Sequence, residues 1–459
     1  MEKRIDLTEG HITSKLVKLA LPIMGTSFIQ MAYNMTDMIW IGRVGSSAVA
    51  AVGTAGFFTW LAMAFIMISK VGAEIKVSQS LGRHDQEAAR KYVVSAIQIN
   101  IVLAIIYGVV VFIFRKPFLD FFKLGDPEVI AMAETYLVVM VIGMVFYFIN
   151  PVFTAIFNGA GSSRTPFLIN TIGLIFNIIF DPVLIMGIGP FPKMGVLGAA
   201  IATIMAQAIV SFCFIVVMLK SKEKFLKVSI FSKPDIEHIK VICKLGFPVG
   251  CQNGLFTIFS MFIARIIAGW GPVAIAVQKV GSQIEAISWM TAGGFSTALG
   301  AFVGQNYGAK KHDRILKGYK ATMGMAVVVG VLSTILLVFA GETIFSFFIP
   351  EAEAIKYGQV YLRILGYSQL FMCIEITTAG AFNGLGKTYI PSIISVILTG
   401  SRIPAAYLLS SISSLGLDGV WWSISISSIA KGVIMTATFL VLLKINKLFN
   451  DEKHLEKVS

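Results

Sequence analysis

Apolar residues in this chain come in long runs, each closed by a short cluster of charge, glycine or proline. The runs last about 20 residues or more, the length a helix needs to cross a bilayer core roughly 30 Å thick. They predict twelve membrane-spanning helices at 14–40, 48–78, 93–114, 128–158, 165–187, 196–219, 240–268, 273–304, 318–340, 352–384, 389–411 and 418–444. Several exceed the minimum, so tilting or bending is expected. The expected fold class is an all-α membrane protein.

The pattern repeats. Leu21-Pro22 recurs 226 positions on as Phe247-Pro248, and Gly45-Ser-Ser-Ala48-Val-Ala50 as Gly271-Pro-Val-Ala274-Ile-Ala276. Gln79-Ser-Leu-Gly82 recurs as Gln305-Asn-Tyr-Gly308, each followed by charge. Further along, Asn158-Gly-Ala-Gly161 and Pro166 reappear as Asn383-Gly-Leu-Gly386 and Pro391. Six spans plus six, both halves pointing the same way, is a parallel duplication of the kind transporters use to enclose a cargo. The boundaries drawn are 1–219 for an N-terminal six-helix lobe, 220–239 for a basic linker, and 240–459 for a C-terminal lobe with its tail.

Composition agrees: 56% hydrophobic, only 14% charged, and a mean hydropathy of +0.80, beyond a soluble domain in both directions. Loops on the N-terminal side carry most of the 38 Lys and Arg, with Lys220, Lys222, Lys224, Lys227, Lys233, Lys240 and Lys244 clustered between the halves. The positive-inside rule then places both termini and the linker in the cytoplasm, in a multi-pass protein of the cell (inner or plasma) membrane. The net charge of +13 is explained by topology and anionic headgroups, without a nucleic-acid partner. Residues 1–18 are polar and mixed in charge, so no cleavable signal peptide is expected. Cys213, Cys243, Cys251 and Cys373 lack paired spacing, no phosphate-binding glycine loop is present, and no cofactor is expected.

Charge inside a span is costly and asks for a reason. Asp37 lies deep in the first span; Asn177 and Asp181 lie in the fifth, at i, i+4 on one helical face. The sixth brings Gly198-Ala-Ala-Ile-Ala-Thr203, small residues that permit close approach plus one hydroxyl. Two carboxylates held together away from water suit a proton or a hard cation such as sodium, with Asn177 and Thr203 as further oxygen ligands. A purely structural pair would more cheaply be neutral. Pro22 offers a bend about 15 residues before Asp37.

The C-terminal half does not repeat this chemistry: Asp37 maps to Ile263, Asn177 to Arg402 and Asp181 to Ala406. Its own span charges include Lys279, Glu285, Glu375 and Arg402, and a structural role is expected of them, with Glu375 or Glu285 bridging to Arg402 or Lys279.

Over essentially its whole length the chain resembles the multidrug and toxic compound extrusion (MATE) transporters. The resemblance rests on Leu21-Pro22, Asp37, the small-residue stretch Gly45–Val52, both Gln-x-x-Gly loops at Gln79 and Gln305, and Asn177–Asp181 followed by Gly198–Thr203. It implies a V-shaped pair of six-helix lobes that antiport cationic or amphipathic small molecules against sodium ions or protons by alternating access. The acids are similar to those of the archaeal and bacterial branch that couples through the N-lobe. There the ion site falls on Asp37, Asn177, Asp181, the Ala199 carbonyl and Thr203, and Tyr136 matches a position lining the same cavity; Met31, Asn34, Asn150 and Asn158 in the spans are further candidates for the cargo cavity. Nothing argues against a functional monomer, with lipids as surroundings. A flippase for lipid-linked or other amphipathic substrates is the close alternative on this scaffold. An intramembrane enzyme would need a nucleophile with its base, or clustered metal ligands, which the sequence lacks.

Overall fold

A computed structural model describes residues 4–122, 126–229, 232–348, 351–445 and 448–449. The first half of the chain folds as α1 (Ile12–Val44), α2 (Ser46–Gly82), α3 (Gln86–Phe121), α4 (Pro127–Ile142), α5 (Met144–Gly159), α6 (Arg164–Met186) and α7 (Val196–Lys220). A short 3-10 turn at Lys224–Leu226 leads to α8 (Ile236–Ala268), α9 (Pro272–Gly308), α10 (His312–Phe339), α11 (Gly341–Ser346), α12 (Ala352–Gly384), α13 (Tyr389–Gly400), α14 (Arg402–Ser410) and α15 (Leu417–Lys444). Among the described residues there is no β-strand.

Among the described residues ten helical segments are long and apolar enough to cross a membrane, α13 and α14 counting as one, and the bent pair α4–α5 makes an eleventh. The twelfth predicted span is α12, whose 33 residues suffice for length but include Lys356, Arg363, Gln369 and Glu375. Two breaks refine the expected spans. At Gly143 the chain turns by 54° between α4 and α5, where the glycine lies so close to Ile204 of α7 that a β-carbon would sit 2.4 Å from it. Between α13 and α14 the cause is Pro404, which has no N–H for the Gly400 carbonyl and whose ring crowds it.

The duplication is written into the backbone. The turns that follow α2 and α9 hold His84 (φ 60°) and Lys310 (φ 57°) in the left-handed region. Asp85 N donates to Ser80 O and Lys311 N to Asn306 O, the same closure twice. The helices α7 and α15 both start after a left-handed glycine, Gly195 (φ 54°) and Gly416 (φ 50°), a conformation that costs other residues a Cβ clash.

Contacts divide the chain into two compact units. The first is formed by Leu21–Gly250 with the described residues before Leu7, the second by Leu7–Ala20 with those from Cys251 onward. Two of the three divisions fall inside a continuous helix beside a proline, Pro22 in α1 and Pro248 in α8; the third, before Leu7, lies ahead of α1. In the first unit one core gathers Phe58, Tyr107, Tyr136, Phe148 and Ile185, and another gathers Val93, Phe153, Phe157, Phe214 and Ile242. Phe225 and Leu226 of the expected linker are buried in the latter core. In the second unit Tyr361 meets Trp421 edge-on at 5.3 Å among Leu362, Leu365 and Val420. Polar ties join helices where lipid drives no apolar association: Asn100 Nδ2 donates to Ser69 Oγ at 2.7 Å, and Ser425 Oγ to the Ile364 carbonyl at 2.8 Å.

Packing at this density makes a local prediction. A β-carbon at Gly246 would lie 1.8 Å from the Ile68 carbonyl oxygen, whereas one at Gly53 would meet nothing within 4 Å. Gly246→Ala is expected to destabilise by about 1–3 kcal/mol, seen as a lower unfolding midpoint of the solubilised protein, and Gly53→Ala to leave it unchanged. Equal midpoints would contradict the close α8–α2 approach.

Candidate functional site

Three helices of the first unit converge on one polar cluster. Asp37 comes from α1, Asn177 and Asp181 from successive turns of α6, and Ala199 and Thr203 from successive turns of α7. Gly198 permits this approach, since a β-carbon there would lie 2.5 Å from the Leu184 carbonyl oxygen of α6. The next residue, Ala199, thereby reaches the site with its backbone.

Asn177 is the centre. Its Nδ2 donates to Asp37 Oδ1 at 3.0 Å and to Asp181 Oδ1 at 2.9 Å, so a single amide group ties the two acids. Thr203 Oγ1 lies 2.9 Å from the Ala199 carbonyl and 3.4 Å from Asp37 Oδ2; with one proton, the hydroxyl serves the nearer carbonyl. Asn177 and Asp181 are fully buried and Asp37 half-buried. Two buried oxygens, Asn177 Oδ1 and Asp181 Oδ2, have no hydrogen-bond partner. Among the described residues no Lys or Arg makes an ion pair with either acid.

This donor set is all oxygen: two carboxyls, an amide oxygen, a hydroxyl and a carbonyl. It fits a hard monovalent cation or a proton and offers no soft ligand. Like charges held together away from water repel, and a cation between them removes the repulsion while meeting the unpartnered oxygens. Each predicted ion-site residue is thus brought to one place.

Of the cavity candidates, Tyr136 is buried on α4 close enough to both acids to feel their charge. Met31 is half-buried and Asn34 exposed on α1. Asn150 is occupied elsewhere: its Nδ2 donates to Gln207 O (2.9 Å) and Oε1 (2.7 Å), and its Oδ1 accepts from Ser211 Oγ (2.6 Å), joining α5 to α7. Asn158 is buried at the end of α5, where its carbonyl accepts from Gly161 N at 2.9 Å. Sequence reasoning missed Tyr33, one turn before Asp37, whose buried hydroxyl has no partner and which feels both acids. Its i, i+4 spacing from Asp37 is the signal that marks it.

The second unit corrects the expected ion pairs. Glu375 pairs with Lys431 of α15 at 3.0 Å and accepts from Ser395 Oγ at 3.2 Å, because α12 packs directly on α15. Arg402 instead donates to Ser427 Oγ (2.5 Å) and Ser428 Oγ (3.0 Å), having been placed against α15 by the break before α14. Glu285 faces α12 and accepts from Tyr361 OH (2.5 Å) and Gln369 Nε2 (3.2 Å). Lys279 is exposed, with no ion pair among the described residues. Lys431 had no signal beyond being a lone cation in the middle of a serine-rich span.

Comparison with known proteins agrees with the resemblance. The MatE family model matches residues 22–183 and 248–408, one copy in each half. The chain is similar to "Probable multidrug resistance protein NorM" of Thermotoga maritima, 28% identical over 94% of this chain and 92% of that protein. It is 27% identical to "Probable multidrug resistance protein YoeA" of Bacillus subtilis, over 87% of this chain and 88% of that one. In fold it matches a MATE crystal structure in the bent conformation with a TM-score of 0.87, at 21% identity, over 97% of this chain and 99% of the other. The twice-matched family model, covering well over half of the sequence, makes the chain a member of the MatE family of membrane transporters, and not an enzyme.

Proposed function

We propose that this protein is a secondary active efflux transporter that expels cationic or amphipathic small molecules in exchange for sodium ions or protons. The observation that carries the reading is the pair Asp37 and Asp181, tied by one amide inside membrane-spanning helices with no base beside them. Structural charge in a span is normally paired. The second unit shows the difference: Glu375 has Lys431, and Arg402 stands close enough to feel both Glu375 and Glu285. Two acids and two bases balance there, whereas the first-unit pair waits for a cation.

In this mechanism a cargo enters from the cytoplasm or the inner leaflet, and the protein turns to face outward. An external cation then binds Asp37 and Asp181, with Asn177 Oδ1, Thr203 and the Ala199 carbonyl completing the oxygen shell. It draws α1 against α6 and α7, with Pro22 as the bending point, and the cargo leaves. The ion drives the cycle only if it binds the two states unequally, and α1 is the element that changes its distance to the other ligands. The buried Tyr136 and the half-buried Tyr33 supply an aromatic wall for a cationic cargo beside the acids. Both termini lie in the cytoplasm of a cell whose plasma membrane holds the protein.

Proteoliposomes with separately imposed sodium and pH gradients test this reading. Efflux of a fluorescent cationic dye is expected with one gradient. Asp37→Asn and Asp181→Asn are each expected to reduce it at least about tenfold at wild-type abundance, the loss of roughly 1.4 kcal/mol or more of coupling. Full efflux by either variant would overturn the reading. The second-unit pair is expected to behave otherwise. Lys431→Met alone leaves Glu375 uncompensated and should cost about 3–5 kcal/mol of stability. The double variant Glu375→Gln, Lys431→Met should recover most of that in a thermal scan and still transport. A double variant that folds well but has lost ion dependence would assign coupling to the second unit as well.

A further inference from the structure

The residues just ahead of α1 are held by their backbone. Leu7 is fully buried in the second unit, its N–H donating to Gln305 Oε1 at 3.3 Å. Its carbonyl accepts from Asn306 Nδ2 and from Arg314 Nε, both at 3.1 Å. Lys311 Nζ donates to the Thr8 carbonyl at 3.0 Å, and Arg314 Nη2 to the Glu9 carbonyl at 2.6 Å. Four side chains from the corner between α9 and α10 thus bind the backbone of three consecutive residues, two of those side chains being cationic and aimed at carbonyls. Gly10, left-handed at φ 70°, then turns the chain into α1.

From Ile12 to Ala20 the helix remains part of the second unit; from Leu21 onward it belongs to the first and carries Asp37 to its ligands. Pro22 lies at that division and has no N–H for the Lys18 carbonyl, so the helical ladder is open at one interior point. Thr26 Oγ1 caps the carbonyl of Pro22 itself at 3.0 Å, which secures the turn after the gap but does not close it.

We infer that Gln305, Asn306, Lys311 and Arg314 form a clasp that makes α1 a lever: they pin the residues that lead into it, so that movement of Asp37 on ion binding bends the helix at Pro22. A helix free at its start would answer the same pull by sliding along its axis, and no work would pass to the second unit. The clasp residues touch neither ion nor cargo; they are positioning residues for coupling. The partner of the clasp is backbone, so the identity of the side chains at Thr8 and Glu9 is immaterial to it. The corresponding helix of the other half, α8, has Ile263 where α1 has Asp37, and its early turns are fixed against α2 by Gly246 and Gly250.

The inference rests on the antiport reading, and its test separates the two. Arg314→Ala and Gln305→Ala would be compared with wild type, Glu9→Ala and Asp37→Asn in dye-loaded proteoliposomes. Two fluxes are read: gradient-driven efflux and passive dye exchange without a gradient. Deuterium uptake at residues 7–9 reports whether the clasp has opened. The clasp variants are expected to keep exchange within about twofold, lose gradient-driven efflux at least about fivefold, and exchange deuterium faster at 7–9. Glu9→Ala should match wild type in all three. Faster deuterium uptake with undiminished gradient-driven efflux would overturn the lever, as would equal loss of both fluxes in a folded protein. Undiminished efflux in Asp37→Asn would instead overturn the antiport reading. If the alanine variants fold poorly, Arg314→Lys serves: a lysine keeps the charge but does not bridge two carbonyls in a fixed fork. It should fall between wild type and alanine in gradient-driven efflux, and wild-type coupling with faster uptake at 7–9 would again contradict the lever.

Discussion

The carboxamide of Asn177 is the interaction on which the rest of this molecule turns. One nitrogen holds two carboxyl groups from different helices, in a membrane, with no base beside them. Everything around the site serves that arrangement. Gly198 brings α7 close enough for Ala199 and Thr203 to join it, and Asp181 and Asn177 share a helical face because they are a turn apart. The remaining oxygens, Asn177 Oδ1 and Asp181 Oδ2, are buried without partners. In the proposed reading a cation completes what protein groups alone leave incomplete, and its coming and going is the source of work.

The two halves share a scaffold and divide the chemistry. Matched turns at His84 and Lys310, and matched left-handed glycines at Gly195 and Gly416, show how faithfully the duplicated backbone has been kept. Side chains have diverged on it. Where the first half has Asp37 and Asp181, the second has Ile263 and Ala406, and it balances Glu375 with Lys431. Under the proposed antiport, chemistry on one side of a duplicated frame would confine the ion's pull to one half. The clasp on Leu7–Glu9 is the proposed link through which that pull is felt.

Much of this was legible in the sequence, for physical reasons. Hydrophobic runs as long as a bilayer is thick leave little choice of structure, and each expected segment coincides with a helix or a broken pair of helices, although α3 and α10 begin six or seven residues earlier than expected. The polar cluster was legible because charge in a span is rare enough to stand out, and because i, i+4 spacing fixes Asn177 and Asp181 on one face. Other features were not. Pro404 could have announced the break in the eleventh span, but the bend at Gly143 depends on Ile204 from another helix, which no local pattern reveals. The partner of Glu375 was misassigned because span charges were paired by rough depth, whereas helix packing chose Lys431. The clasp was invisible: it joins residues about 300 positions apart through backbone groups, which carry no sequence signature.

The central claim is that ion and cargo draw on one site in opposition, so their binding must be linked and the linkage must pass through the acid pair. Equilibrium binding of a fluorescent cationic dye to the solubilised protein, by polarisation, at several sodium concentrations and pH values, measures this directly. The account predicts that dye affinity falls as the coupling ion rises, and that Asp181→Asn removes this dependence. Dye affinity that stays ion-dependent in Asp181→Asn, or that is ion-independent in the wild type, would contradict it.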